Sequence, residues 1–376
     1  MEFIVHNDYF NEALSDVSKS VTTKLLLPIL SGIKITAQQD CLILIGSNSN
    51  IVIEKILPLE LNGIPILQVI ETGSVVLPAK YLCEIAKKLP GKIYIKVNEK
   101  NAARIQSDDI MIQLNGFSSD QYPSYPSIDT DPFIQITSSS LMEIIKQTTF
   151  AVSKNETRPV LTGVNILCKE NKLTCVATNS HRLALREMPI QSSVEGSFIV
   201  PGTSLTELTK LMNNEEGFIQ IYITASYIVF KTTTVTLYSR LIEGNYPDIS
   251  RLIPKDPKTI LLLDTKKLLK GIDRACLFAS EWKNNNVYLE MINGEQLRIS
   301  SNSTEMGRIE EVQEVIKVQG TKELGISLDG DFLLDALKAI NEKEIQMSFG
   351  GALKPVLIEP ADNPSCLHLI SPVRSY

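Results

Sequence analysis

The stretch with the most chemical potential is Thr178-Asn179-Ser180-His181-Arg182-Leu183. Two hydroxyls lie close to an imidazole in sequence, which is the raw material of catalysis by a base-activated nucleophile. The surroundings argue against that use. No Gly-x-Ser-x-Gly turn is present to expose a nucleophile. Two fainter copies of the same corner also occur. Ser47-Asn48-Ser49-Asn50 lies 131 residues earlier and Ser301-Asn302-Ser303-Thr304 lies 123 residues later. Each copy follows an apolar, strand-like run, such as Lys172–Ala177 before the middle one. A corner repeated three times reads as architecture. Only the middle copy carries His-Arg, and that pair needs its own explanation.

Other chemistries are poorly supported. Six cysteines (Cys41, Cys83, Cys168, Cys175, Cys276, Cys366) are scattered without a Cys-x-x-Cys pair, which predicts buried reduced thiols. Three histidines far apart make a metal centre unexpected, and no cofactor is implied. Gly320 and Gly350-Gly351 read as turn glycines, because no Lys-Ser/Thr follows to complete a phosphate cradle. No apolar run reaches the length of a membrane span, and Met1–His6 enters a strand pattern directly, which predicts no signal peptide. The net charge of −6 argues against a surface that coats nucleic acid, but not against a less acidic channel inside an acidic body.

The elements that must position the corner form a repeat of roughly 125 residues, too long for a solenoid and therefore a repetition of domains. The first repeat opens with a strand, Glu2–His6, and a helix carrying Phe10, Leu14 and Val17 on one face, with Asp8 as a plausible N-cap. The second opens with Phe133–Ile136, Ser138 as a candidate cap, and Leu141, Ile145 and Thr148 at the matching spacing. Pro28-Ile29-Leu30-Ser31-Gly32 and Pro159-Val160-Leu161-Thr162-Gly163 align without a gap, as do Pro58 and Pro189. The third repeat begins at Thr259–Leu263 and continues into a helix with Leu268, Leu269, Ile272, Ala275 and Cys276. Each repeat has a second strand-to-helix passage (75–89, 198–212 and 324–340), followed by short alternating strands of the half-buried antiparallel kind. The connecting segments, 116–132 and 241–257, share Tyr-Pro at Tyr122-Pro123 and Tyr246-Pro247, which predicts extended, packed linkers. The result is an α+β chain of three similar domains, 1–120, 128–250 and 256–376, each with two helices on antiparallel sheets. An open array of such domains would leave sheet edges bare, and self-association would cover them.

Several of these motifs together resemble the bacterial DNA polymerase III β subunits, the sliding clamps. They are Pro28-Ile29-Leu30, Ala177–Ala184, Gly244-Asn245-Tyr246-Pro247-Asp248, Leu252-Ile253-Pro254 and the tail Pro372-Val373-Arg374. The resemblance spans the chain. It implies a clamp fold and a head-to-tail homodimeric ring, with helices lining a hole that encircles duplex DNA. It implies no catalytic activity. It also implies a cytoplasmic, nucleoid-associated processivity factor of DNA replication. Its partners would be the DNA polymerase III alpha subunit, the clamp loader complex and other clamp-motif proteins such as repair polymerases, mismatch-repair proteins and ligase.

The resemblance also places sites. A partner-peptide pocket between the second and third domains would use Leu161, Thr178, Leu183, Pro247, Leu252 and Leu369 as its apolar hole. Ser180, His181, Arg182, Arg251, Pro372, Val373 and Arg374 would form its polar and rim positions. Ser371 stands where relatives usually carry an apolar residue, so the hole wall should be smaller and more polar. Replacing it (Ser371→Leu) is expected to tighten or redirect the binding of apolar peptide anchors, measured by peptide titration, and an unchanged affinity would count against this view. For duplex DNA, the resemblance points to Lys24 and the loop 155–158 with Arg158. Lys80, Lys87, Lys146, Lys154, Lys210, Lys266, Lys270 and Lys338 are weaker candidates. The six predicted helix spans (8–20, 79–89, 138–154, 203–213, 264–276, 329–341) carry a net charge of about +1, so the remainder of the chain holds the acidity. Such a mild surface suits a ring that slides, since tight phosphate contacts would arrest it. Trp282 is expected in core or interface packing. The dimer seam is expected to involve 83–104 of one chain and 273–302 of the other. The competing function is a different multidomain scaffold, or an enzyme built on the same repeat; a strict monomer would favour it.

Overall fold

The structure, a computed structural model, describes residues 1–22, 27–128, 132–212, 217–279, 285–304 and 306–373. Lys24, Trp282 and Arg374 therefore lie outside the described residues. The helices are α1 (Asn7–Ser18), α2 (Ala79–Ala86), α3 (Ser138–Thr148), α4 (Gly202–Leu211), α5 (Thr265–Ala279) and α6 (Gly330–Ala339), two for each sequence repeat. The chain divides into two compact units: residues 1–138 with 207–241, and residues 139–206 with 242–376.

In the first unit, one antiparallel sheet runs Ile110–Asn115, Ala102–Ser107, Lys92–Val97, Glu2–His6, Leu67–Glu71. A second has eight strands. Its two halves come from different sequence repeats and join where Val235–Arg240 pairs with Ile51–Pro58, with Leu237 opposite Ile53. Phe10, Leu14 and Val17 are buried, as their spacing predicts. α1 approaches the strand Cys41–Ser47 so closely that a Cβ on Gly46 would collide with the Val17 carbonyl. α1 also packs on α2, and Asn7 ties them by donating from Nδ2 to the carbonyls of Ala86 (2.8 Å) and Leu89.

The second unit repeats this plan. Its nine-stranded sheet runs Gly196–Pro201, Gly163–Lys169, Lys172–Thr178, Arg182–Pro189, Cys366–Ile370, Val356–Pro360, Glu344–Phe349, Thr259–Asp264, Lys317–Gly320. Again the two halves join across repeats, here by Arg182–Pro189 against Cys366–Ile370. A four-stranded sheet ends on the edge strand Gly307–Glu314. α5 and α6 pack together over a core that includes Leu268, Ile272, Leu333 and Leu337.

Some details differ from the sequence reading. α1 begins at Asn7 without a side-chain cap, and Asp8 serves in the first turn, where a negative charge meets the helix dipole. Pro28–Ser31 and Pro159–Thr162 are short 3-10 turns, each started by the proline whose fixed φ suits a first helical position. α3 stops at Thr148, short of the predicted 154, and a 3-10 turn over Thr149–Ala151 follows. The three corners are also not equivalent. In the first, the Asn48 side chain accepts from the backbone N–H of Asn50 and Ile51 (2.8 and 2.9 Å). In the second, Asn179 accepts from His181 and Arg182 (both 3.0 Å). In the third, the strand Gln296–Ser303 continues through the corner and Asn302 pairs with Arg308. Ladder pairing there replaces the side-chain turn.

Cys168, Cys175 and Cys366 are buried, and all six cysteines are unpaired. Burial pushes the thiols of Cys175 and Cys366 up to about 12, so they stay protonated and inert. No helix among the described residues is long and apolar enough to cross a membrane.

Candidate partner-docking site

The strand Lys172–Thr178 ends at the corner and Arg182–Pro189 leaves it, so the corner is a hairpin turn at the rim of the nine-stranded sheet. Thr178 anchors the turn twice. Its Oγ1 donates to the Arg182 carbonyl (2.6 Å) and accepts from the Ser180 N–H (3.2 Å). Its own N–H donates to the hydroxyl of Tyr246 (3.0 Å), which fixes the connecting segment against the corner. Ser180 takes φ of +76°, a left-handed conformation that costs a non-glycine residue stability. Ser180→Gly is expected to raise stability by about 0.5–1 kcal/mol in thermal melts; a lower melting temperature would show that the serine contributes something the backbone does not.

Beside the corner, Leu183 lies directly opposite Leu369 across the strand pair. Both belong to an apolar cluster with Val176, Leu185, Leu357 and Leu367, onto which Tyr246, Ile249 and Ile253 pack. Leu252 remains 49% exposed beside it in sequence, an apolar side chain left at the surface. Pro247 and Arg251 are exposed on the same segment, and Arg251 lies 3.8 Å from Asp248. The tail closes on the corner: the Ser371 N–H donates to the His181 carbonyl (2.8 Å), and the Val373 N–H to the Ser327 carbonyl (2.9 Å). Ser371, Pro372 and Val373 are half-buried.

On the other side of the corner is a groove of about 580 Å³. One wall is the loop 152–158, with Lys154 and Arg158. The floor includes Leu161 and residues 179–182. The start of α6, with Asp331, Phe332 and Asp335, also lines it. Asp329 caps that helix by accepting from the Phe332 N–H (3.1 Å), and burial pushes its carboxyl above the ordinary range.

Arg182 is the keystone. Its side chain is nearly buried, and its Nη1 donates to Asp335 Oδ2 at 2.6 Å. Nη2 donates to the Phe150 carbonyl. The guanidinium lies 5.2 Å from the ring centre of Phe150 and 4.4 Å from that of Phe332. A delocalised cation in contact with two aromatic rings and a carboxylate is a rigid element that lysine would reproduce only in part. Sequence reasoning identified Arg182 but missed Phe150, Phe332 and Asp335. They come from three distant stretches with no shared pattern, and only the asymmetry of the repeated corner hinted at extra partners.

Behind Phe150 sits His368, fully buried on the strand Cys366–Ile370, with ring centres 5.5 Å apart. Its Nε2 is 3.7 Å from the Cys366 thiol, and its Nδ1 has no hydrogen-bond partner among the described residues. Burial lowers its pKa from 6.5 to about 4. The folded chain thus keeps the imidazole neutral where the unfolded chain protonates it. Stability should fall as pH drops from 6.5 towards 4, by at most about 3 kcal/mol from this group. His368→Phe should flatten that slope in melts taken across the window; an unchanged slope would assign the acid sensitivity elsewhere.

The sites inferred for DNA are dispersed. Lys80, Lys87, Lys146, Lys210, Lys266, Lys270 and Lys338 are exposed on their helices. Lys87 and Lys210 pair with Glu84 (3.1 Å) and Glu207 (2.8 Å) in their own helices. Lys154 and Arg158 line the same groove as residues 179–182 of the corner.

Comparison with known proteins decides the family. Residues 1–126, 135–248 and 250–374 match the N-terminal, central and C-terminal domains of the DNA polymerase III beta subunit. The chain belongs to that family. It is 41% identical over 379 residues to the beta sliding clamp of Bacillus subtilis, with both chains fully covered. It superimposes on the crystal structure of the DNA polymerase sliding clamp from the same organism with a TM-score of 0.96 over the whole of both chains. The DNA polymerase III beta chain of Streptococcus pneumoniae matches at 32% identity and a TM-score of 0.94, again over both full chains. The sliding clamps are processivity factors of replication and not catalysts, and within the corner the Thr178 hydroxyl holds the turn. The central family domain contributes strands to both compact units, which explains why the sheets cross the repeat boundaries.

Proposed function

We propose that this sliding clamp closes head to tail with a second copy around duplex DNA and tethers replication proteins through the groove and apolar cluster beside residues 178–183. Domains near 1–120, 128–250 and 256–376 are the units of that ring. The partners are the polymerase alpha subunit, the clamp loader and other proteins carrying short Gln-containing apolar motifs, in a cytoplasmic, nucleoid-associated setting. The observation that carries the docking assignment is the convergence on one corner. There, Leu183 pairs with Leu369, Tyr246 bonds Thr178, and Ser371 bonds His181. An apolar cluster next to a polar groove holds anchors and fixes the register of an extended segment.

Two bare edges support closure. Ile110–Asn115 and Gly307–Glu314 are outer strands of their sheets. The first exposes Ile110 and Met111, and the second exposes Val312. Exposed apolar edge strands invite pairing with another chain. The segments 83–104 and 273–302 expected at the seam adjoin these edges: Arg104 pairs with Gln113 of one edge strand and Asn302 with Arg308 of the other.

The direct test is retention. After loading by its clamp loader onto nicked circular DNA, the protein should remain bound through a high-salt wash and escape once the circle is cut. Equal retention on circular and linear DNA would defeat the ring reading.

A further inference from the structure

The groove beside the corner is lined by two elements that carry opposite charges, and three of its charged groups have no ion-pair partner among the described residues. Lys154 and Arg158 belong to the loop 152–158, and Asp331 to the first turn of α6. All three are exposed. Asp335 is different: Arg182 already answers it at 2.6 Å. Neither Lys154 nor Arg158 pairs with Asp331, although all three line one cavity of about 580 Å³. A ligand seated there meets cationic and anionic groups on separate elements.

We propose that the groove selects partner segments of matching polarity, with an acidic residue toward Lys154 and Arg158 and a basic residue toward Asp331. This rests on the docking assignment above and adds the chemistry of the segment that docks. The alternative occupant, a nucleic-acid strand, fits less well. Its phosphates would suit Lys154 and Arg158, but the same cavity carries the carboxylates of Asp331 and Asp335, and a polyanion gains nothing from them. Exposed pairs are individually weak, so the discrimination should be a few-fold for each charge. It should act on register and encounter rate more than on total affinity, and fade as salt screens it.

The test uses the full-length protein and synthetic peptides with one common Gln and apolar anchor core. The flanks are acid then base, base then acid, or neutral on both sides, and affinity is read by fluorescence anisotropy at low and at moderate salt. One charged order should bind about three- to tenfold more tightly than the neutral peptide, and the reversed order should not. Asp331→Asn should erase the contribution of the basic flank alone, and Arg158→Gln should reduce that of the acidic flank alone. Equal affinity for both orders, or a preference that survives both substitutions, would overturn the proposal while leaving the docking site intact. Failure of the neutral peptide to bind would overturn the docking assignment itself. A single-stranded oligonucleotide that binds with Arg158-dependent affinity and displaces the peptides, with no flank preference among them, would assign the groove to nucleic acid.

Discussion

Arg182→Ala is expected to weaken partner-peptide binding at least tenfold and to lower stability by about 2–3 kcal/mol. Removing the guanidinium takes away both ring contacts and the bond to the Phe150 carbonyl, and leaves Asp335 without its cation. The full penalty of a broken buried pair is not expected, because the Asp335 side chain is 41% exposed and water can answer it. Arg182→Lys should fall between the two. It keeps the charge but not the planar guanidinium, so the ion pair survives while Phe150 and Phe332 lose the flat face they contact. Peptide titration and thermal melts on the three proteins read both effects. Wild-type affinity in Arg182→Ala would show that the stack supports the fold without shaping the site.

The second large effect is on assembly. Leu277 is 71% exposed on α5 and Met111 is 59% exposed on its edge strand, so neither supports the fold of its own unit. Leu277→Asp and Met111→Asp should leave the folded protomer intact. If these surfaces form the seam, a charge buried there without a partner should shift the dimer to a monomer near 41.8 kDa in sedimentation. The same variants should slip from closed circular DNA. A dimer that persists in both would place the seam elsewhere.

What the sequence disclosed follows from how information is stored along it. The repeat was legible because Pro28 and Pro159 start equivalent turns, and Pro58 and Pro189 end equivalent strands. The helix faces were legible because Phe10, Leu14 and Val17 are spaced for burial. The stack around Arg182 was not, since Phe150, Phe332 and Asp335 meet only through folding. The third corner departed from the other two because its ladder with Gly307–Glu314 competes with the local asparagine turn.

The strand pair that joins Arg182–Pro189 to Cys366–Ile370 has a consequence in time. Leu185 and its partner Leu367 are separated by 182 residues of chain. On a ribosome adding about 5–20 residues per second, the first strand emerges roughly nine to thirty-six seconds before the second. Throughout that interval the edge of Arg182–Pro189 is bare, apolar and open to mispairing with another nascent chain. The wall that Leu369 and Ser371 supply to the proposed docking site does not yet exist. On that proposal a growing chain has no complete site with which to recruit a partner, and the window of greatest aggregation risk coincides with a window of functional silence.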